Sequence, residues 1–128
     1  MDKLQQKLRQ IFKKFPADSG RCSQCAVQVF NLLTEAGIKA SIVRIQTRLP
    51  FLSTRKGLQL ARRIGNDRAY HEFVQTEDRI FDALTDAEGM EWKEYRNLFY
   101  ENAFDDGTIQ IVSNTGNWEA SREKDHEQ

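Results

Sequence analysis

The chain has 128 residues, enough for one domain with a sizeable hydrophobic core. Nineteen basic and nineteen acidic side chains cancel, which leaves no overall pull toward nucleic acid or an anionic membrane surface. Two cysteines are too few for a disulfide framework, and no apolar run approaches a membrane span or a signal-peptide core.

The first segment, 2–15, carries Leu4, Leu8, Ile11, Phe12 and Phe15 at helical spacing and ends at Pro16. Asp18 and Ser19 are candidate N-caps for a second helix over 20–36. In it, Cys22, Ala26, Val29, Leu33 and Ala36 follow alternating steps of four and three and so share one face, and Gly37 reads as the C′ glycine. Residues 40–47 are β-branched and predict a strand.

From Arg48 to Arg68 there are six basic residues (Arg48, Arg55, Lys56, Arg62, Arg63, Arg68) against Asp67 alone. This stretch is expected to hold a short helix near 55–64, bounded by Pro50 and by Gly65-Asn66-Asp67. Its charge suits either a solvated face or the steering of an acidic partner. Residues 69–76 and 79–85 predict two strands joined by a tip at Glu77-Asp78. An aromatic segment, 91–100, is expected to be helical, with Trp92, Tyr95, Phe99 and Tyr100 closing the core. Asp105-Asp106-Gly107 is a turn, 108–113 a last strand, and 117–128 a flexible polar tail beyond a single domain of residues 1–116.

The chemistry-bearing residues are few. Cys22 stands at the first turn of the second helix, where free backbone N–H groups and the positive dipole end favour a thiolate. Of the two histidines, His126 falls in the tail and His71 in a predicted strand. A two-residue tip at Glu77-Asp78 makes opposed residue numbers sum to 155, so that Phe73 faces Asp82. Asp82 then lies one diagonal from His71 on the same sheet face, and any even-length loop preserves this. An acid inside an apolar strand needs a partner, and His71 is the nearest one. A thiolate to attack a carbonyl carbon, an imidazole to hold it and protonate the leaving group, and a carboxylate to orient the imidazole form a complete set for nucleophilic catalysis.

With its cysteine opening an apolar helix and His and Asp on following strands, the chain resembles papain-like cysteine enzymes. Gly20, Cys22, Ala26 and Gly37 match the helix pattern of their transglutaminase-like branch, and His71 and Asp82 match its His and Asp strands. Small size and compact spacing are most similar to the papain-fold toxin domains of bacterial polymorphic toxin systems, over about residues 19–85. The resemblance implies an α+β papain-like fold, a central N-terminal helix on a small antiparallel sheet, and Cys22, His71 and Asp82 as catalytic residues. It also implies a protein or peptide substrate cut or transferred at an amide or acyl bond, a toxin or effector role, and a cognate immunity protein as partner. One departure stands out. Papain-like peptidases carry a glutamine shortly before the nucleophile, and residues 15–21 here contain none. The backbone N–H of Cys22 is the only oxyanion donor the sequence identifies.

Two other functions fit part of the pattern: a papain-like binding module without turnover, and a thiol oxidoreductase built on Cys22-x-x-Cys25. A zinc site lacks a fourth ligand, so no metal and no cofactor is expected. The expected location is the cytoplasm, or delivery by a secretion system without a signal peptide.

Overall fold

The computed structural model describes residues 2–47, 51–62, 69–101, 103 and 109–114. The turn at 105–107, the tail 117–128, and Arg48, Pro50 and residues 63–68 of the basic stretch lie outside the described residues.

Helix α1 spans Lys3–Lys14 and is capped by Asp2, whose carboxylate accepts the Leu4 N–H at 2.9 Å. Phe15, the residue before Pro16, leaves helical geometry with ψ at 77°. Helix α2 spans Cys22–Glu35. Its N-cap is Arg21, not Asp18 or Ser19, and no side chain caps it. The exposed Ser19 instead accepts the Arg21 N–H within the loop, at 3.3 Å. At the far end Gly37, with φ at +80°, closes a Schellman motif: its N–H donates to Thr34 and that of Ile38 to Leu33, both at 3.0 Å. The buried face of α2 is Cys25, Ala26, Val29 and Leu33. Ala36, expected on that face, is exposed because it sits past the last helical turn.

Among the described residues, six strands follow the α+β expectation. Strands β1 (Ser41–Gln46), β4 (Tyr70–Gln75), β5 (Ile80–Phe81) and β6 (Gln110–Asn114) form one antiparallel sheet in the order β5-β4-β1-β6. Side chains alternate across it. Ile42 and Val74 face α1 and α2 in one core cluster with Leu8, Val29 and Leu33. Val43, Ile45, Phe73 and Ile80 face the other way, into a second cluster with Leu52, Leu60, Tyr95 and Phe99. The sheet is therefore covered on both sides.

The cover on the second side corrects one expectation. Instead of a helix near 55–64, strands β2 (Phe51–Ser53) and β3 (Gln59–Arg62) make a separate two-stranded hairpin. Thr54-Arg55-Lys56-Gly57 form its turn: Gly57 supplies a φ of +87°, and the Thr54 N–H donates to Leu58 at 3.0 Å. Leu52 and Leu60 then point together into the core while Phe51 and Lys56 stay outside. The tip docks on the segment after α3 (Trp92–Arg96), with the Arg55 N–H donating to Leu98 at 2.8 Å. That helix is shorter than the expected 91–100, and Tyr100 is exposed rather than part of the core.

Strand β5 is also shorter than the expected 79–85. It ends at Phe81 because Asp82 starts a turn. On its far side the Ile80 and Met90 backbones exchange two hydrogen bonds, at 2.7 and 2.9 Å, which hold the 82–90 loop against the sheet edge. Gly89, with φ at +77°, passes so close that a Cβ there would lie 2.9 Å from the Ile80 carbonyl oxygen.

Candidate active site

The hairpin between β4 and β5 has the anticipated register. Val74 pairs with Phe81 and Gln75 with Ile80, and the Thr76 N–H donates to Arg79 at 2.8 Å, so the tip is Glu77-Asp78. His71 therefore shares a sheet face with Asp82, and its Nε2 lies 2.8 Å from Asp82 Oδ2. Both residues are 3% exposed. Asp82 is held from two directions. Its Oδ1 accepts the backbone N–H groups of Leu84 at 2.7 Å and Thr85 at 3.2 Å, an Asx turn. Its Oδ2 accepts the Tyr95 hydroxyl at 2.6 Å as well as the imidazole. The turn that ends β5 is thus also the device that aims the carboxylate at His71.

Cys22 completes the group from the start of α2. It is partly exposed and lines a cleft with Phe15, Pro16, Ala17, Glu72, His71 and Ala83. Because Nε2 is committed to Asp82, Nδ1 is the ring nitrogen left for the thiol, and it has no hydrogen-bond partner of regular geometry. The electrostatics run in one direction all the same. Burial alone would raise the Cys22 pKa, but its interaction with the His71 ring and a backbone hydrogen bond from Glu72 outweigh burial, and the net shift is downward. Burial likewise opposes protonation of His71, yet Asp82 and Cys22 together push its pKa up to about 9. The two shifts favour a thiolate beside an imidazolium.

Cys25, one turn further along α2, is different. It is 4% exposed, and burial followed by the charges of Asp82 and Cys22 pushes its thiol up to about 12. The helix start therefore separates the two cysteines into one accessible and acidic, one buried and inert.

The N–H groups of Cys22, Ser23 and Gln24 belong to the first turn of α2, which offers them no intrahelical acceptor. No family model, no curated protein and no solved structure matches the chain. No described helix is long and apolar enough to cross a membrane, and no group of three or more His, Cys, Asp or Glu among the described residues is placed to hold a metal ion.

Two participants were not anticipated. Tyr95 was expected only to fill the core, and its aromatic neighbourhood gave no sign that its hydroxyl meets Asp82. Glu72 and Arg44 form a cross-strand ion pair beside the cleft, with Arg44 Nε and a terminal nitrogen both on Glu72 Oε2 at 3.1 and 3.0 Å. The Glu72 charge opposes thiolate formation at Cys22, and the Arg44 guanidinium partly neutralises it.

Proposed function

We propose that this chain is a papain-like thiol enzyme that acts on an amide or acyl bond of a protein or peptide through Cys22, His71 and Asp82. The observation that carries the reading is the buried His71, bonded through Nε2 to Asp82 and electrostatically coupled to the Cys22 thiol at a helix start. A helix opening on the nucleophile, packed on an antiparallel sheet whose neighbouring strands present His and Asp, supports the papain-like assignment of the α+β fold. The toxin or effector role, with its cognate immunity protein, rests on the sequence resemblance alone.

In the proposed reaction the Cys22 thiolate attacks the carbonyl carbon and a C–S bond forms. The oxyanion accepts the free N–H groups of the first turn of α2. The His71 imidazolium gives its proton to the departing nitrogen as the C–N bond breaks, leaving a thioester. Neutral His71 then takes a proton from water, or from an amine, as either attacks that thioester, and the C–S bond breaks to return the Cys22 thiolate beside the imidazolium. Hydrolysis, deamidation and acyl transfer share this acyl-enzyme and differ in what leaves and what attacks.

The test is the rate of iodoacetamide alkylation of Cys22 against pH, in the parent protein and in His71→Ala. Cys25, buried and held at about 12, stays silent while the protein is folded. The parent should react as a thiolate well below the free-thiol value of about 8.5, and in His71→Ala the titration should move up to that value or above it, because burial then goes largely unopposed. A parent that titrates like a free cysteine overturns the proposal. One observation favours binding without turnover instead, namely the lack of a glutamine in residues 15–21. Burst acylation by an activated ester, lost in Cys22→Ala, decides for the enzyme.

A further inference from the structure

Asp82 Oδ2 accepts two donors at once, the His71 Nε2–H at 2.8 Å and the Tyr95 hydroxyl at 2.6 Å. The second is a short contact, and Tyr95 is 0% exposed, so no water competes for its hydroxyl. Placement of the carboxylate does not require it. Oδ1 already holds the Asp82 side chain by two backbone bonds, from Leu84 and Thr85. Nor does packing require an oxygen at that position. The Tyr95 ring lies 4.9 Å from Phe73 and 5.6 Å from Phe99 between centroids, and a phenyl ring fills the same space. The hydroxyl's remaining physical effect is on charge. A donor on Oδ2 draws electron density away from the bond that the same oxygen makes to the imidazole.

We infer that Tyr95 is a positioning residue of the Cys22–His71–Asp82 group whose hydroxyl shares Asp82 Oδ2 with His71 and thereby weakens the carboxylate's hold on the imidazolium proton. The chemistry calls for such a moderator. A buried carboxylate with only an imidazolium on it stabilises that cation strongly, and an imidazolium held too tightly is a poor acid toward the leaving nitrogen. Tyr95 leaves Asp82 able to orient the ring while returning some acidity to its far nitrogen. The other groups facing His71 are Cys22 and Cys25 from α2 and the neighbouring Glu72 on β4, which is itself bound to Arg44 from β1. None of these touches Oδ2. The inference rests on the thiol-enzyme reading above for its purpose, though its electrostatic content is measurable without any substrate.

The experiment follows the His71 imidazole Cε1–H resonance against pH by NMR in the folded protein, where only His126 gives a second signal. Tyr95→Phe removes the donor and should raise the His71 pKa by about half to one unit. Placing 3-fluorotyrosine at position 95 makes the phenol a stronger donor and should lower the His71 pKa by a few tenths of a unit. Opposite shifts from two nearly isosteric rings are not what a packing role produces. An unchanged His71 pKa in Tyr95→Phe, or shifts of the same sign in both variants, overturns the inference. Should Tyr95→Phe fail to fold, the fluorinated protein decides alone, and the absence of a downward shift overturns it. The parent's alkylation profile is recorded alongside. A parent with an ordinary thiol refutes the thiol-enzyme reading, whereas a parent thiolate with an unmoved His71 refutes only the role of Tyr95.

Discussion

Replacing Asp82 by alanine removes the acceptor of four hydrogen bonds. Two of the donors, the Tyr95 hydroxyl at 2.6 Å and His71 Nε2 at 2.8 Å, belong to residues 0% and 3% exposed, so water does not take the carboxylate's place. The other two are the backbone N–H groups of Leu84 and Thr85, and the half-buried Leu84 recovers a water. A buried donor left without a partner costs roughly 1–3 kcal/mol, and removing one member of a buried charge pair roughly 3–5 kcal/mol. Because His71 escapes part of this by losing its proton, we expect a total of about 4 kcal/mol at pH 6, a large fraction of the 5–15 kcal/mol typical of a domain. The measurement is urea unfolding, with the shift in midpoint taken at constant slope.

The penalty should also depend on pH. The folded His71 pKa of about 9 lies above its ordinary 6.5, so the stability it contributes is fully present below pH 6.5 and is lost as pH rises through 9. At 1.36 kcal/mol per unit this amounts to roughly 3 kcal/mol, shared between Asp82 and Cys22. The Cys22 thiol, lowered from 9.0, adds stability as pH rises through an overlapping window, so the comparison belongs in a Cys22→Ser background, where that titration is absent. There Cys22's share of the shift is gone, so the His71 pKa lies below the parent's but is still raised by Asp82, and Asp82→Ala should cost most at pH 6 and progressively less toward pH 10. A cost below about 1.5 kcal/mol at pH 6, or the same cost at both ends, would refute the clamp of Asp82 on a charged imidazole.

Two further outcomes are expected. Arg44→Ala leaves the Glu72 carboxylate unpaired beside the cleft, which should raise the Cys22 pKa, read from the alkylation profile, and cost roughly 2–3 kcal/mol in urea, with Glu72→Gln moving the thiol the opposite way. Gly89→Ala sets a Cβ 2.9 Å from both the Ile80 carbonyl oxygen and the Phe81 ring at a φ of +77°, so it should destabilise by about 2 kcal/mol or more and weaken amide-exchange protection of Ile80 and Met90.

Much of the site was legible because it depends on local rules. The apolar spacing of 22–35 and the glycine at 37 define α2 within a few turns of chain, and they place one cysteine at its open end. The Glu77-Asp78 tip fixes the parity of the β4–β5 pairing over a dozen residues, and parity alone puts His71 and Asp82 on one face. Two tasks meet at Asp82, ending a strand and pairing with His71. The structure makes one carboxylate do both, with Oδ1 ending the strand and Oδ2 receiving the imidazole.

What tertiary structure alone decided is whatever depends on a surface made elsewhere in the chain. Residues 51–62 carry enough charge and leucine for a helix, yet the uncovered face of the sheet at Val43, Ile45 and Phe73 selects a hairpin that sends Leu52 and Leu60 into one core. Tyr95 meets Asp82 because that same core seats α3 over the end of β5, thirteen residues away along the chain and 2.6 Å away in space. Spacing along the sequence placed Cys22, His71 and Asp82, the proposed nucleophile, base and orienting carboxylate. Tyr95, the proposed moderator, came only from packing, since neither the face a hairpin must cover nor the reach of a phenol across a core is written in the local pattern.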